Sequence, residues 1–342
     1  MDVRAEVAAA LTKPFGAVLA DRMILTECRD QQWSSPRLMP SHTLPLSPGA
    51  HALHYGSACF EGLKAHRWDD GSLHLFRLAD HVERLLHSAD LVGLPVPDPA
   101  TIEAMILEIV AACREWAPAF PGSLYIRPTL IGNEPSIGKA SAPSSTALFY
   151  VLLSPVGDYF QGGARPLSIL LEDGYHRTTP HFGATKAGAN YVQALGLTMR
   201  ARKQWGVDQV VFAPRGDVQE TGAANFLLLR PDRLLTRHLD ATFLHGVTRD
   251  SLLHIARDAG LEVEERAISP AEVVEWVKDG EAALSGTAAV LAGVGTLVYQ
   301  GTRHQVGTGQ IGATTTRLRQ ALVSIQRGQA EDRYGWLRRV PG

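Results

Sequence analysis

Between two strand-like runs, Ser154-Pro155-Val156-Gly157-Asp158-Tyr159-Phe160-Gln161-Gly162-Gly163 holds a proline and three glycines, the composition of an interdomain linker. A chain of 342 residues exceeds the size at which one hydrophobic core keeps growing, so two domains of roughly 150 residues each are expected. The expected division is an N-terminal α/β domain over 1–153, a linker over 154–164 and a C-terminal domain over 165–342.

Charge and cysteine usage narrow the partners. With 33 Lys+Arg against 35 Asp+Glu, the chain has no basic excess for nucleic acid and no charge excess of the disordered kind. A small-molecule partner is expected. Cys28, Cys59 and Cys113 are widely spaced, with no Cys-x-x-Cys pair and no clustered histidines, which argues against a zinc site and for a reducing cytoplasm. The apolar run Val7 to Leu11 is too brief for a signal-peptide core. Ala282 to Tyr299 is uncharged, but Gly286, Gly293 and Gly295 interrupt it, so it reads as buried loop and strand and no membrane span is expected.

Strand-like runs fall at Ala17 to Thr26, Leu73 to Phe76, Leu124 to Ile131 and Ala147 to Ser154. Asp80 to Leu91 reads as a helix, with Val82, Leu85, Leu86 and Ala89 on one face and Asp80 as its cap; a second helix is expected over Ile102 to Trp116. Further on, helices are expected over Asn190 to Trp205 (apolar positions Leu195, Leu197, Met199, Ala201), Thr248 to Ala259 and Pro270 to Val277. Strands are expected at Gln209 to Phe212 and Phe226 to Leu229.

Lys186 stands in Thr185-Lys186-Ala187-Gly188-Ala189-Asn190-Tyr191, and Glu220 in Val218-Gln219-Glu220-Thr221-Gly222-Ala223-Ala224-Asn225. Alone, either would be an ordinary surface lysine or turn carboxylate. Small residues crowd Lys186, as expected if the backbone passes close to a flat ring, and Tyr191 can bond a phenolate oxygen. An amine able to form a Schiff base and a carboxylate for a pyridinium nitrogen are what pyridoxal phosphate most needs from a protein. Gly246-Val247-Thr248-Arg249 opens a helix, and Ser285-Gly286-Thr287-Ala288-Ala289 is a small turn with two hydroxyls. Both suit a phosphate, although an ordinary threonine cap is the bland reading of either motif in isolation. Arg84, by default a solvated helix arginine, would give a charge-assisted contact to such a phosphate.

In order, His54-Tyr55-Gly56, Phe60-Glu61-Gly62-Leu63-Lys64-Ala65, Leu124-Tyr125-Ile126-Arg127-Pro128, Lys186 to Tyr191, Gly246 to Arg249 and Ser285 to Ala288 resemble the branched-chain amino acid aminotransferases of fold type IV. The likeness runs from Phe15-Gly16 to Glu331-Asp332-Arg333-Tyr334-Gly335-Trp336. It implies a two-domain α/β (α+β) fold with a smaller N-terminal α/β domain and a larger C-terminal domain on a β-barrel-like core. It also implies a homodimer and reversible transamination of leucine, isoleucine or valine with 2-oxoglutarate. By that resemblance Lys186 would hold the cofactor as a Schiff base and shuttle the substrate proton, and Glu220 would keep the pyridine nitrogen protonated. Tyr191 would bond the phenolic oxygen, Asn225 would join the cofactor site, and Arg84, Val247, Thr248 and Thr287 would hold the phosphate. Tyr55, Phe60, Tyr125, Arg127, Ala223, Ala224, Ala288 and Ala289 would line the substrate pocket, with Lys64 near its rim. The L configuration of the substrate follows from the resemblance alone.

Departures bear on substrate. Ala223 and Ala224 stand where many relatives carry Thr and Met, which implies an enlarged pocket. His245 replaces a common proline, and Ala289 and Ala292 replace a thiol pair known in vertebrate enzymes. Lys139 falls in a loop, 134–143, that in the family reaches the neighbouring subunit. Rival readings are a specialised biosynthetic transaminase, a D-amino acid aminotransferase, an aminodeoxychorismate lyase and, outside catalysis, a silent pyridoxal-phosphate-binding subunit. Lys186, Glu220, Tyr191 and Arg84 together argue against the last.

Overall fold

The computed structural model describes residues 2–157 and 165–342. Most of the expected linker, 158–164, lies outside the described residues, while Ser154 to Val156 complete the strand Ala147–Val156. The described chain forms two units. The first takes residues up to 157 with Lys186–Gly188 and Gln326–Gly342; the second takes residues from 165 to Thr185 and Ala189–Ile325. The expected C-terminal domain, 165–342, is therefore divided. Its last stretch packs with the N-terminal unit because Leu337–Arg339 adds a strand to Leu73–Phe76, with Leu337 opposite Phe76.

The first unit is built on a nine-stranded sheet whose pairings are all antiparallel. Its long central pair, Ser123–Gly132 with Ala147–Val156, is in register from Ser123↔Val156 to Gly132↔Ala147. Arg22–Arg29 flanks that pair on one side and Leu63–Arg67 on the other. Two helices, Leu78–Leu91 and Pro99–Ala112, bury Val82, Leu85 and Ala89, and Ile102, Met105, Ile106 and Ile109, in a core shared with Ile24, Leu124 and Val151. The larger of these side chains contribute roughly 1.5–3 kcal/mol each on burial. Asp98 caps the second helix through Thr101 N–H at 3.0 Å, with Pro99 at the first turn, so that helix begins earlier than its apolar periodicity suggests. Asp80 is not the cap of the first helix, which starts at Leu78 behind Arg77 in the left-handed region. The Asp80 carboxylate instead binds the Arg77 guanidinium, at 3.0 Å through Nε.

The second unit holds an eight-stranded mixed sheet running Gln209–Phe212, Leu167–Glu172, Val290–Tyr299, Glu281–Gly286, Asn225–Leu229, Arg233–Thr236, Glu262–Glu265, with Thr302–Gln305 paired to Val290–Tyr299. The sheet is curled into a half-barrel, the form that the expected barrel-like core takes, and bridges Val211↔Thr221 and Glu220↔Asn225 tie its strands to the segment around Glu220. The run Ala282 to Tyr299 is the antiparallel pair Glu281–Gly286 and Val290–Tyr299. Gly295 is needed there, since a Cβ would lie 2.5 Å from Gly309 O. Among the described residues no helix is long and apolar enough to cross a membrane. In the helix Gly188–Trp205 the buried face is Ala194, Thr198 and Ala201; the expected Leu195 and Met199 are exposed. A helical face recurs every three to four residues, which selects the small residues and not the larger apolar ones.

Candidate active site

Lys186 lies in the first unit, held by its backbone. Its N–H donates to Ser88 Oγ at 3.0 Å, its carbonyl accepts from Phe60 N–H at 3.0 Å, and Ala187 bridges to Cys59 in the strand Ala58–Phe60. The ammonium lies 5.2 Å from the centroid of the Phe60 ring. The Arg127 guanidinium covers the same ring at 4.5 Å and the Tyr125 ring at 5.2 Å, and donates to Tyr125 Oη at 2.8 Å. Gly62 permits this arrangement, because a Cβ there would collide with Tyr125 Oη. Phe15 meets the Tyr125 ring edge-on at 4.9 Å, with the Lys64 amine 5.9 Å from its own centroid. Lys186, Phe60, Tyr125, Arg127 and Lys64 are thus brought into one neighbourhood, with Phe15 as a member that sequence reasoning missed. Tyr55 faces another way: its hydroxyl donates to the Ile137 carbonyl and its ring meets His51. Lys139, in that same loop, is paired with Glu134 at 2.9 Å.

Arg84, expected opposite a phosphate, donates through Nε and Nη2 to the two oxygens of Glu61 at 2.6 and 2.9 Å. His81 Nδ1 lies 2.8 Å from Glu61 Oε2, and Gly62 N–H donates to the same oxygen at 3.0 Å. Burial alone would push the Glu61 carboxyl up, but the charge and hydrogen bonds of Arg84, with His81, hold it well below the usual carboxylate range. Burial pushes His81 down, against the raising effect of Glu61 and with the charges of Arg84 and Lys186 adding to the depression. The Cys59 thiol next door is pushed up to about 12 by burial and then by Glu61, which makes it inert. His81, Arg84 and Ser88 fall three and four residues apart, on one face of the Leu78–Leu91 helix.

Glu220 lies in the second unit and is 2% exposed. Its Oε1 accepts from Arg177 Nη2 at 2.8 Å and Leu244 N–H at 2.9 Å, and its Oε2 from Asn225 Nδ2 at 3.0 Å. Sequence reasoning missed Arg177; its neighbours in sequence carry no signal, and only folding brings it to Glu220. Asn225 also donates to Leu244 O at 2.9 Å, and Gly246 is required beside it, since a Cβ there would collide with Asn225 Oδ1. Gly246 precedes the helix Val247–Asp258, which has no side-chain cap, so Val247 and Thr248 stand at a helix N-terminus suited to an anion. Arg249, the end of that motif, is buried and bonded to Arg237 O and Glu265.

The turn 221–224 is tied by Thr221 Oγ1, which accepts from Ala223 N–H at 3.2 Å and Ala224 N–H at 2.9 Å. Ala223 is exposed and Ala224 half-buried. A Cβ on Gly286 would sit 3.8 Å from Ala223 O and 4.0 Å from Ala224 Cβ, so this turn adjoins Ser285 to Ala289. Thr287, Ala288 and Ala289 are half-buried, and Ser285 Oγ is buried without a hydrogen-bond partner. Asn190 Nδ2 clips the turn before Lys186 by donating to Phe182 O and Thr185 O at 2.8 Å, and Tyr191 follows half-buried. His245 Nε2 lies 2.9 Å from Asp240 O.

The first unit offers an amine beside aromatic rings, which suits a flat heteroaromatic aldehyde. The second offers a buried carboxylate, an uncapped helix start and an unpartnered buried hydroxyl at Ser285. No group of His, Cys, Asp and Glu that could hold a metal ion occurs among the described residues.

Residues 58–295 match the family model of the class IV aminotransferases. The chain is 37% identical to the branched-chain-amino-acid aminotransferase of Mycolicibacterium smegmatis, with 95% of this chain and 92% of that protein covered. It is 38% identical to a probable branched-chain-amino-acid aminotransferase of Streptomyces coelicolor, over 97% and 94%. Among solved structures, the T.th. branched-chain amino acid aminotransferase with pyridoxamine 5'-phosphate matches with a TM-score of 0.80 at 26% identity, covering 95% of this chain and all of that one. A buried carboxylate and a clamped lysine, on a fold shared from end to end with these proteins, place the chain in the class IV aminotransferases and, among them, in the branched-chain amino acid aminotransferase family.

Proposed function

We propose that the protein is a pyridoxal-phosphate-dependent transaminase that moves an amino group reversibly between a branched-chain or other large apolar L-amino acid and 2-oxoglutarate. The observation that carries this reading is Glu220, a buried carboxylate supported by Arg177, Asn225 and Leu244 N–H. Arg177 offsets the cost of burying this charge, and the three donors together fix the carboxylate in one orientation, as a group that must meet a ring N–H requires.

When bound, pyridoxal phosphate supplies the electron sink that makes the donor's Cα–H acidic. Lys186 Nζ would hold the cofactor and would move the Cα proton of the donor, while Glu220 would hold a proton at the ring nitrogen. Tyr191 orients the ring through its phenolic oxygen, and Asn225 braces Glu220. Arg84, Val247 N–H, Thr248 and Thr287 hold the phosphate. Phe60, Tyr125 and the Ala288-Ala289 turn would exclude water from an apolar side chain, with Lys64 at the rim, while Tyr55, bonded to Ile137 O, is not among the groups around Lys186. Arg127, half-buried and held across two aromatic faces, would donate to the second carboxylate of glutamate in a charge-assisted contact. Ala223 and Ala224 favour a bulkier donor, the feature that supports a specialised transaminase as a second reading. The working form is a homodimer in the cytoplasm. A panel of amino donors with 2-oxoglutarate, read by glutamate formation, tests the reading; no glutamate from any apolar L-donor would refute it.

A further inference from the structure

Arg177 donates to Glu220 at 2.8 Å and brings it a positive charge, which Asn225 and Leu244 N–H do not. Arg177 and Glu220 are 4% and 2% exposed, so water screens the pair little. The arginine is itself fixed. Its Nη2 also donates to Gly183 O at 2.8 Å, and Gly183 lies so close to the next segment that a Cβ would collide with Thr242 O. Thr242 leads into Leu244, whose N–H donates to Glu220 at 2.9 Å. The segment carrying Arg177 and the segment bonding Glu220 are thus locked together.

Resting on the reading that Glu220 meets the cofactor's pyridine nitrogen, we infer that Arg177 is a positioning residue that decides on which side of that hydrogen bond the proton rests. The bond has two forms: carboxylate with pyridinium, or carboxylic acid with neutral pyridine. One proton moves between oxygen and nitrogen, and nothing else changes. A dry site favours the neutral form. A guanidinium 2.8 Å from the carboxylate opposes this, because it stabilises the negative oxygen and leaves the proton on nitrogen. Asn225 and Leu244 orient the carboxylate but carry no charge to do the same.

The test loads the parent protein, Arg177→Lys and Arg177→Met with cofactor labelled with nitrogen-15 in its ring, and reads the ring-nitrogen chemical shift. Where the Met chain does not fold, Arg177→Gln takes its place. The parent and the Lys variant should show pyridinium, and the neutral variant unprotonated pyridine, with its donor half-reaction slowed about a hundredfold. Pyridinium in the neutral variant, or neutral pyridine in the parent, overturns the inference. A parent that takes up no cofactor overturns instead the transaminase reading beneath it.

Discussion

Lys186 N–H donates to Ser88 Oγ at 3.0 Å, so the helix that carries Arg84 also fixes the residue assigned to the cofactor. Ser88 is fully buried, and its loss would leave the part-buried Lys186 N–H without that acceptor. Ser88→Ala should therefore cost about 1–3 kcal/mol of stability, measured by urea unfolding. A variant as stable as the parent would mean that another acceptor replaces the hydroxyl.

Lys186→Ala should give a colourless protein with no turnover, whereas borohydride reduction of the parent should leave the cofactor on the peptide containing Lys186. Mapping the label to another lysine would remove Lys186 from its role.

Glu220→Gln keeps the hydrogen-bonding shape but loses the charge that favours a protonated ring. Cofactor should be retained, and the donor half-reaction should slow on the order of a hundredfold or more. Stopped-flow spectra decide it, and a near-parental rate would show that the ring nitrogen is served by another group.

The two arginines should separate. Arg84→Ala is expected to weaken cofactor retention, and Glu61→Gln to weaken it less, since Glu61 holds Arg84 through Nε and Nη2. Arg127→Ala should instead penalise the glutamate half-reaction most. Dialysis against buffer with absorbance, beside both half-reactions, measures this; equal loss of cofactor in the Arg84 and Arg127 variants would cancel the assignment.

Acid should weaken the fold early through His66. Burial, with the charges of Lys64 and Arg327, pushes its imidazole down to about 3 from the ordinary 6.5. In that window the unfolded chain binds a proton that the folded one does not, so stability rises with pH and falls on acidification. One such group gives a slope of about 1.4 kcal/mol per pH unit. His66→Leu should flatten the unfolding free energy against pH by that amount, and an unchanged slope would mean that the folded imidazole is already protonated.

The sequence alone determined much of this protein. Short-range patterns carry the helices and strands, and the residue types around Lys186, Glu220 and Gly246 carry the proposed chemistry, because turns, caps and small-residue approaches are local matters. Tertiary structure decided what depends on partners distant in the chain. Not every difference was long-range: Asp80 looks like a cap, yet Arg77, three residues before it, takes its carboxylate. Leu195 and Met199 look inward by their apolar character, yet helix geometry turns Ala194, Thr198 and Ala201 to the core. Phe15 and Glu61 stand in segments that carry the resemblance, yet neither segment names their partners, and Ser88 and Arg177 give no signal of their own, since a hydrogen bond or ring contact between residues far apart leaves no periodicity in either segment. The return of Leu337–Arg339 to the first sheet is of the same kind: strand pairing is fixed by backbone hydrogen bonds and burial in three dimensions, which only the folded chain brings together.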